Sequence, residues 1–169
     1  DGDKQYGGVI GGGADRARTT KPGEWVEGRG WDQNLWPEKD FPTHQALSSA
    51  TPNNPVVLER VDGHALLANA MAMRLAGVTA ATKDPEGGKI VRLPSGDPSG
   101  VFVDNAQGLV RRRIPPLSAA VLRQAIVVAI ADANRWGLTG IHDAGEPRPI
   151  IEIFESLASA ARFNLRNYV

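Results

Sequence analysis

Pro55-Val56-Val57-Leu58-Glu59-Arg60, then Val61-Asp62-Gly63-His64-Ala65, then Leu66 to Ala76 is the stretch whose reading decides the fold. Asn53-Asn54-Pro55 is a turn signal, and the apolar run behind it reads as a strand ending near Arg60. Leu66, Ala70, Met73 and Ala76 fall at helical spacing, so a helix is expected over 65–76, closed by Gly77. On this reading Asp62-Gly63-His64 lies at a strand-to-helix junction. Such junctions carry polar working groups because the scaffold is rigid and the turn is exposed. Asp62 and His64 are therefore candidate substrate-binding residues. The local alternative has Asp62 capping the helix, Gly63 making the turn and His64 partly buried in the first turn.

Downstream, Thr82 to Gly88 reads as loop. Lys89-Ile90-Val91-Arg92-Leu93 and Gly100-Val101-Phe102-Val103 read as two short strands joined through Pro94 to Ser99, a hairpin over 89–103. Asp104-Asn105 is expected to cap a short helix over 106–112. Arg111 to Arg113 close it, where a helix C-terminus favours cations. Ser118 to Trp136 is the clearest helix: Ser118 is the N-cap candidate, and Val121, Leu122, Ala125, Ile126, Ala129, Ile130 and Ala133 make a broad apolar stripe. Leu138-Thr139-Gly140-Ile141-His142-Asp143 is a strand finishing in His-Asp. Arg148 to Ala161 is a second amphipathic helix, and Phe163 to Val169 a strand. Helix, strand, helix, strand with short connections predicts parallel β/α units, the two strands being neighbours crossed by the helix between them. Polar residues at the C-terminal end of such a strand face the ligand side. His142 and Asp143 are thus the candidate catalytic residues, the local alternative being a turn cap and a packed ring.

Upstream, Gly7, Gly8, Gly11, Gly12 and Gly13 suggest a phosphate loop, but no Gly-Lys-Ser/Thr follows and the GxGxxG spacing is absent, so a flexible connection is expected. Ala14 to Lys21 has room for a helical turn or two before Pro22-Gly23. Trp25-Val26 begins a strand, and Gly28 and Gly30 allow close approach or a bulge. Trp31, Asp32, Gln33, Asn34 and Trp36 put two indoles among polar groups, a composition that suits a pocket wall or a loop pinned to the core. Trp31 and Asp32 join the substrate-binding candidates. Thr43 is an N-cap candidate, with His44 an exposed helix-start residue and not a ligand.

Composition narrows the function. Lys plus Arg and Asp plus Glu are 19 each, so the net charge is zero. This argues against nucleic acid or an anionic membrane as partner. With no cysteine, disulfides, thiolate chemistry and Cys-based zinc sites are excluded. No apolar run approaches the roughly 18 residues of a membrane span. No signal-peptide pattern is seen, so the cytoplasm is the default compartment. None of the three histidines pairs with another at i, i+2 or i, i+4, and no residue is assigned as a metal ligand.

Several stretches then agree, in order and spacing, with one family. Gly28-Arg29-Gly30-Trp31-Asp32-Gln33-Asn34-Leu35-Trp36-Pro37 with Phe41-Pro42-Thr43, Arg60-Val61-Asp62-Gly63-His64-Ala65 with Asn69, Asp84 to Arg92, Gly100 to Ala106, and Gly137 to Gly145 resemble the amidohydrolase superfamily, in the YtcJ-like branch that includes N-substituted formamide deformylases. The resemblance implies an α/β fold: part of a TIM-like (β/α) barrel, about strands one to three, with an α+β insertion between strands one and two. Residues 1–23 would lie near the first strand, 24–116 would form the insertion and 117–169 the barrel units. It implies hydrolysis of an amide or formamide-type C–N bond of a small molecule by water activated on a divalent metal, usually zinc. Family ligands are a His-x-His pair on the first strand, a Lys or bridging acid on the fourth, His on the fifth and sixth, and Asp on the eighth. Asp3 and Gln5 would stand at the His-x-His positions, and Gln is a poor zinc ligand. This chain alone is then expected to hold no metal and to be inactive. The remaining barrel chain or a second copy is its expected partner. The alternative is a non-catalytic binding or oligomerising module.

A complete barrel takes about 250 residues. Open strand edges and an uncovered helix face are therefore expected, with aggregation or self-association as the consequence.

Overall fold

The first part of the chain forms helices on both faces of one sheet, and this decides how its central stretch folds. The computed structural model describes residues 6–169, so the expectation for Asp3 and Gln5 lies outside the described residues. The chain divides between Pro115 and Pro116 into two compact units. The fold class is α/β.

In the first unit, α1 (Tyr6–Thr19) leads to β1 (Val26–Trp31), α2 (His44–Ala50), β2 (Val56–Arg60), β3 (Ala65–Ala68), α3 (Ala70–Ala76), β4 (Gly88–Arg92), β5 (Pro98–Asp104) and the short α4 (Gly108–Arg111). The sheet order is β1-β2-β3-β5-β4. β1 and β2 are parallel, and the other pairs are antiparallel. Side chains alternate between two cores. Val56, Leu58, Ala65, Leu67 and Val101 meet Leu47 of α2 and the partly buried Val9 and Ala17 of α1. Val57, Leu66, Ile90 and Phe102 meet Ala72 and Met73 of α3 and Val110 of α4. A fully buried Leu or Phe stabilises by about 1.5–3 kcal/mol, so the two cores together account for most of this unit's cohesion.

Ala65 to Ala68 is a strand, contrary to the expected helix over 65–76. All four residues are buried. A strand covered on both faces loses its two-residue alternation and reads as an unbroken apolar run, which a helix also explains. The helix begins only at Ala70, and its cap is Asn69, whose Oδ1 accepts from Ala72 N–H at 2.9 Å. Asp62-Gly63 is accordingly a hairpin turn between β2 and β3, not a strand-to-helix junction, and Asp62 caps no helix.

The glycine-rich N-terminal stretch also differs from expectation: within the described residues it is helical from Tyr6. Its five glycines, Gly7, Gly8, Gly11, Gly12 and Gly13, weaken a helix by about 1 kcal/mol each relative to Ala, and here packing on β1 and α2 offsets that cost. A Cβ at Gly13 would lie 3.3 Å from Leu47 Cδ1. Gly28 has the same use on β1, since a Cβ there would lie 2.8 Å from Leu58 Cδ2. Gly30, at φ 104°, sits in the bulge where the β1–β2 register shifts between Arg29 and Trp31.

The second unit is α5 (Ala119–Arg135), β6 (Gly140–His142), α6 (Arg148–Ser159) and β7 (Arg166–Tyr168). β6 and β7 are parallel neighbours with α6 crossing between them, as the alternation predicts. The strands are shorter than expected, three residues each. Ser118 caps α5, its hydroxyl accepting from Val121 N–H at 3.3 Å. The buried core is Ile130, Leu157 and Leu165, with Ile126, Ile141, Ile153 and Phe163 packed around it. Apolar side chains of α5 are bare both on that stripe and off it: Val121, on the stripe, is 50% exposed and Val128, outside it, 58%.

Candidate functional site

Parallel pairing of β1 and β2 sets Trp31 opposite Arg60 and so brings the Gly28–Trp36 and Arg60–Ala65 motifs together. Arg60 is the link. Its Nε donates to Gln33 Oε1 at 2.8 Å and its guanidinium to Asp32 Oδ1 at 3.3 Å, and it is ion-paired with Asp62. Asp32 also caps the following 3-10 turn, accepting from Asn34 N–H at 3.0 Å. Asp62 Oδ1 accepts from His64 N–H at 3.0 Å, an Asx-type turn closed by Gly63 at φ 77°.

Two further elements hold the turn. Gln107 Nε2 donates to Gly63 O at 2.9 Å, and Arg111 of α4 pairs with Glu59 of β2. Asp104, at the end of β5, faces His64: its Oδ1 lies 2.8 Å from Nδ1. Asp104 was expected to cap a helix; its side chain makes no cap bond. The hydrogen bond and charge of Asp104, then the charge of Asp62, raise the His64 pKa above its ordinary value, against burial and Arg60. His44 moves the other way, burial lowering its pKa. It lies on α2, its Nδ1 2.9 Å from Ser48 Oγ.

Trp31 stands behind this surface. It is 2% exposed, its indole N–H donates to Leu58 O at 2.7 Å, and its ring lies 6.1 Å from Trp36 and 6.4 Å from Phe41. From there it anchors Asp32, its neighbour in the chain. A cleft between α1 and β1, lined by Gly8, Gly12, Arg16, Gly28 and Arg29, takes in Trp31 but none of Asp32, Asp62 and His64.

In the second unit, His142 and Asp143 lie at the carboxyl end of β6. His142 and Tyr168 are paired across the strands, and their rings stack at 4.9 Å and 15°. Asp143 N–H donates to Tyr168 O at 2.8 Å. Ile141 and Leu165 pack toward the helices, so by strand alternation Gly140, His142, Arg166 and Tyr168 share the opposite face.

The structure therefore joins Asp32, Asp62 and His64 in one network and His142 and Asp143 in another. Sequence reasoning gave no role to Arg60, Gln107 or Tyr168, and read Asp104 only as a helix cap and Gln33 only as one polar group of a pocket wall. Arg60 and Asp104 lie inside the quoted motifs, and that was the available signal; their partners depend on strand register.

The described residues do not fit a metal centre. Among them no group of three or more His, Asp or Glu side chains could hold a metal ion. The donors at the β2–β3 turn are committed elsewhere, Asp62 to Arg60 and His64 Nδ1 to Asp104. Among the described residues, no helix is long and apolar enough to cross a membrane.

Comparison with known proteins follows the same stretch of chain. A model described as the amidohydrolase family matches residues 1–166. The chain is 32% identical over 157 residues to YtcJ of Bacillus subtilis, a protein named as an amidohydrolase, covering 90% of this chain and 30% of that protein. It is 38% identical over 149 residues to the N-substituted formamide deformylase of Arthrobacter pascens, covering 86% and 28%. The protein LONG AFTER FAR-RED 3 of Arabidopsis thaliana is 38% identical over 135 residues, covering 80% and 23%. The chain thus spans less than a third of the length of these curated relatives. A crystal structure of an uncharacterized metal-dependent hydrolase from Pyrococcus horikoshii matches with a TM-score of 0.61 at 19% identity, over 98% of this chain and 31% of that one. Its counterpart from Pyrococcus furiosus matches at 0.56 and 18%, over 97% and 31%. At these identities the likeness speaks to the fold.

Proposed function

The chain belongs to the amidohydrolase family, and from that premise we propose that it is the segment of a metal-dependent hydrolase that presents substrate-facing polar groups, the metal being held by residues other than those described. In this reading the parallel pair β6–β7 and helix α6 belong to a TIM-like barrel. The mixed sheet of the first unit is the insertion between the first two barrel strands. The bond cleaved is a C–N bond of amide or formamide type in a small molecule, and the metal, zinc in this reading, is bound outside the described residues. Asp32, Asp62 and His64 face the substrate, with Trp31 behind Asp32. In the second unit, His142 and Asp143 at the end of β6 are the catalytic candidates.

One observation supports this assignment most. Two motifs separated by a whole crossover converge on Arg60, which holds Asp32 and Asp62 in one network. A loop that served only to connect strands needs no such clamp. The bare faces of the second unit favour a second reading, a non-catalytic module that binds a partner or a second copy.

Two experiments separate these. Metal analysis and an assay with simple N-substituted formamides on the 169-residue chain should both be negative; stoichiometric zinc with turnover would overturn the placement of the metal outside this chain. A chimaera in which residues 1–166 replace the matching segment of the Arthrobacter pascens deformylase should hydrolyse formamides. A chimaera that folds, carries its metal and turns over none of them favours the non-catalytic module.

A further inference from the structure

In the β2–β3 turn almost every polar end is used to hold the turn itself. Arg60 joins Asp32 and Asp62, Gln107 holds Gly63 O, and Arg111 holds Glu59. His64 differs. Its side chain is 74% exposed, and among the described residues its ring is tied through Nδ1 to Asp104.

Asp104 breaks two local rules to make that tie. It precedes the 3-10 turn Asn105–Gln107, where an Asp side chain ordinarily caps the first backbone N–H groups, yet it makes no cap bond. Its backbone sits at φ 49°, ψ −124°, a region that residues with a Cβ avoid. Conformations of this kind persist only when the surroundings over-determine them, and they gather at working sites. Here the surroundings are β4 on one side, where Gly88 pairs with Asp104 and Asn105 N–H donates to Gly87 O at 3.2 Å, and His64 on the other. Asp104 N–H donates to His64 O at 3.0 Å, and its carboxylate meets the ring 2.8 Å away. A carboxylate only accepts, so Nδ1 carries the proton and Nε2 is the nitrogen that gains and loses one.

We propose that Asp104 is a positioning residue: it fixes the tautomer and direction of His64 so that Nε2 faces outward as the proton-exchanging atom of this turn, toward the carbonyl of a bound substrate. The carbonyl rests on the amidohydrolase reading above; the orientation does not. The charged groups around the ring are Asp104 from the end of β5, and Asp62 and Arg60 from its own hairpin.

The test compares the 169-residue chain with Asp104→Gly and Asp104→Asn. Glycine adopts φ 49° without strain and removes the carboxylate, so it separates orientation from folding. Nitrogen-15 NMR of the imidazoles reads the tautomer, with His142 as internal reference. The parent chain shows neutral His64 protonated on Nδ1. In D104G the population moves to the Nε2-protonated form that free imidazole favours, while the melting temperature holds or rises. D104N keeps an acceptor oxygen, retains the Nδ1–H tautomer and titrates at lower pH. A His64 tautomer and titration unchanged in D104G overturn the positioning role. In the chimaera described above, D104G should lower kcat by about tenfold or more at unchanged metal content, with D104N less affected. Unchanged kcat in an active chimaera overturns the substrate-facing part. An inactive chimaera counts against the amidohydrolase reading, and the NMR comparison still decides Asp104.

Discussion

Two asparagines set the first unit against the second. Asn69 is fully buried at the end of β3 and makes five hydrogen bonds: Oδ1 accepts from Val56 and Ala72 N–H, and Nδ2 donates to Thr51 O, Thr51 Oγ1 and Asn54 O. Asn167, in the middle of β7, also has a buried amide, but among the described residues neither its Oδ1 nor its Nδ2 has a partner. The first unit answers the polar groups it buries with its own neighbours and covers its sheet on both sides. The second unit buries three residues and leaves one face of a two-stranded sheet open. What differs is how much each unit buries, since local propensity is high in both: α5 and α6 are unbroken helices of 17 and 12 residues. Regular elements do not make an independent fold without enough surface to bury.

The largest expected effect tests this contrast directly. Expressed separately, residues 1–115 should melt cooperatively, whereas 116–169 should give no cooperative transition and should self-associate, because an isolated two-stranded sheet is marginal in water. Sharp thermal melting of a monomeric 116–169 would break the comparison.

Next come single residues. Asn69→Ala strands several buried groups at once, which should cost about 3 kcal/mol or more, measured by urea unfolding of residues 1–115. Gly100→Ala should cost about 2 kcal/mol or more in the same experiment. Gly100 has φ 102°, and a Cβ there would lie 2.6 Å from His44 Cβ and 2.8 Å from Ala68 O. Asn167→Val, read in the full chain, should have the opposite sign and a smaller size, a gain of up to about 1 kcal/mol, because it removes an unanswered amide from a buried position. If Asn167→Val destabilises as much as Asn69→Ala, the two units do not differ in the way described.

The sequence made legible whatever local chemistry decides. Asn53-Asn54-Pro55 launched β2, the connection read over Pro94 to Ser99 turned the β4–β5 hairpin although Pro98 and Ser99 already belong to β5, Ser118 capped α5, and alternation of helix and strand predicted β6 beside β7. It misread what depends on covering both faces of a sheet, since Ala65 to Ala68 carry no period to distinguish strand from helix. The first half of α1, through Gly13, was missed for the converse reason, while Ala14 onward was read as a helical turn or two: the glycines argue against a helix locally, and packing on β1 and α2 outweighs them. Among site residues, Asp32, Asp62 and His64 were visible as polar groups next to turns. Arg60 acquires its role from the β1–β2 register, and Asp104 from the β3–β5 register that sets Ala65 opposite Val103. Registers between strands distant in sequence leave no mark on either strand alone.

The smallest expected effect is one of pH, and it sharpens the comparison within the first unit. The folded-state pKa of His64 is raised above its ordinary 6.5, by Asp104 first. Protonated His64 therefore favours the folded state. Its contribution is fully present below 6.5 and is lost as pH rises through the shifted value. His44 is lowered from the same 6.5 by burial, so its contribution is present above that value and is lost as pH falls through the lowered one. Residues 1–115 should thus have a urea midpoint that declines slightly on both sides of neutrality, from different histidines. Asp104→Asn should flatten the alkaline decline and leave the acid one unchanged, while His44→Gln should do the reverse. If D104N leaves the alkaline limb as it was, the His64–Asp104 pair is not what titrates there. The clamp on the β2–β3 turn would then consist of Arg60, Gln107 and Arg111 alone.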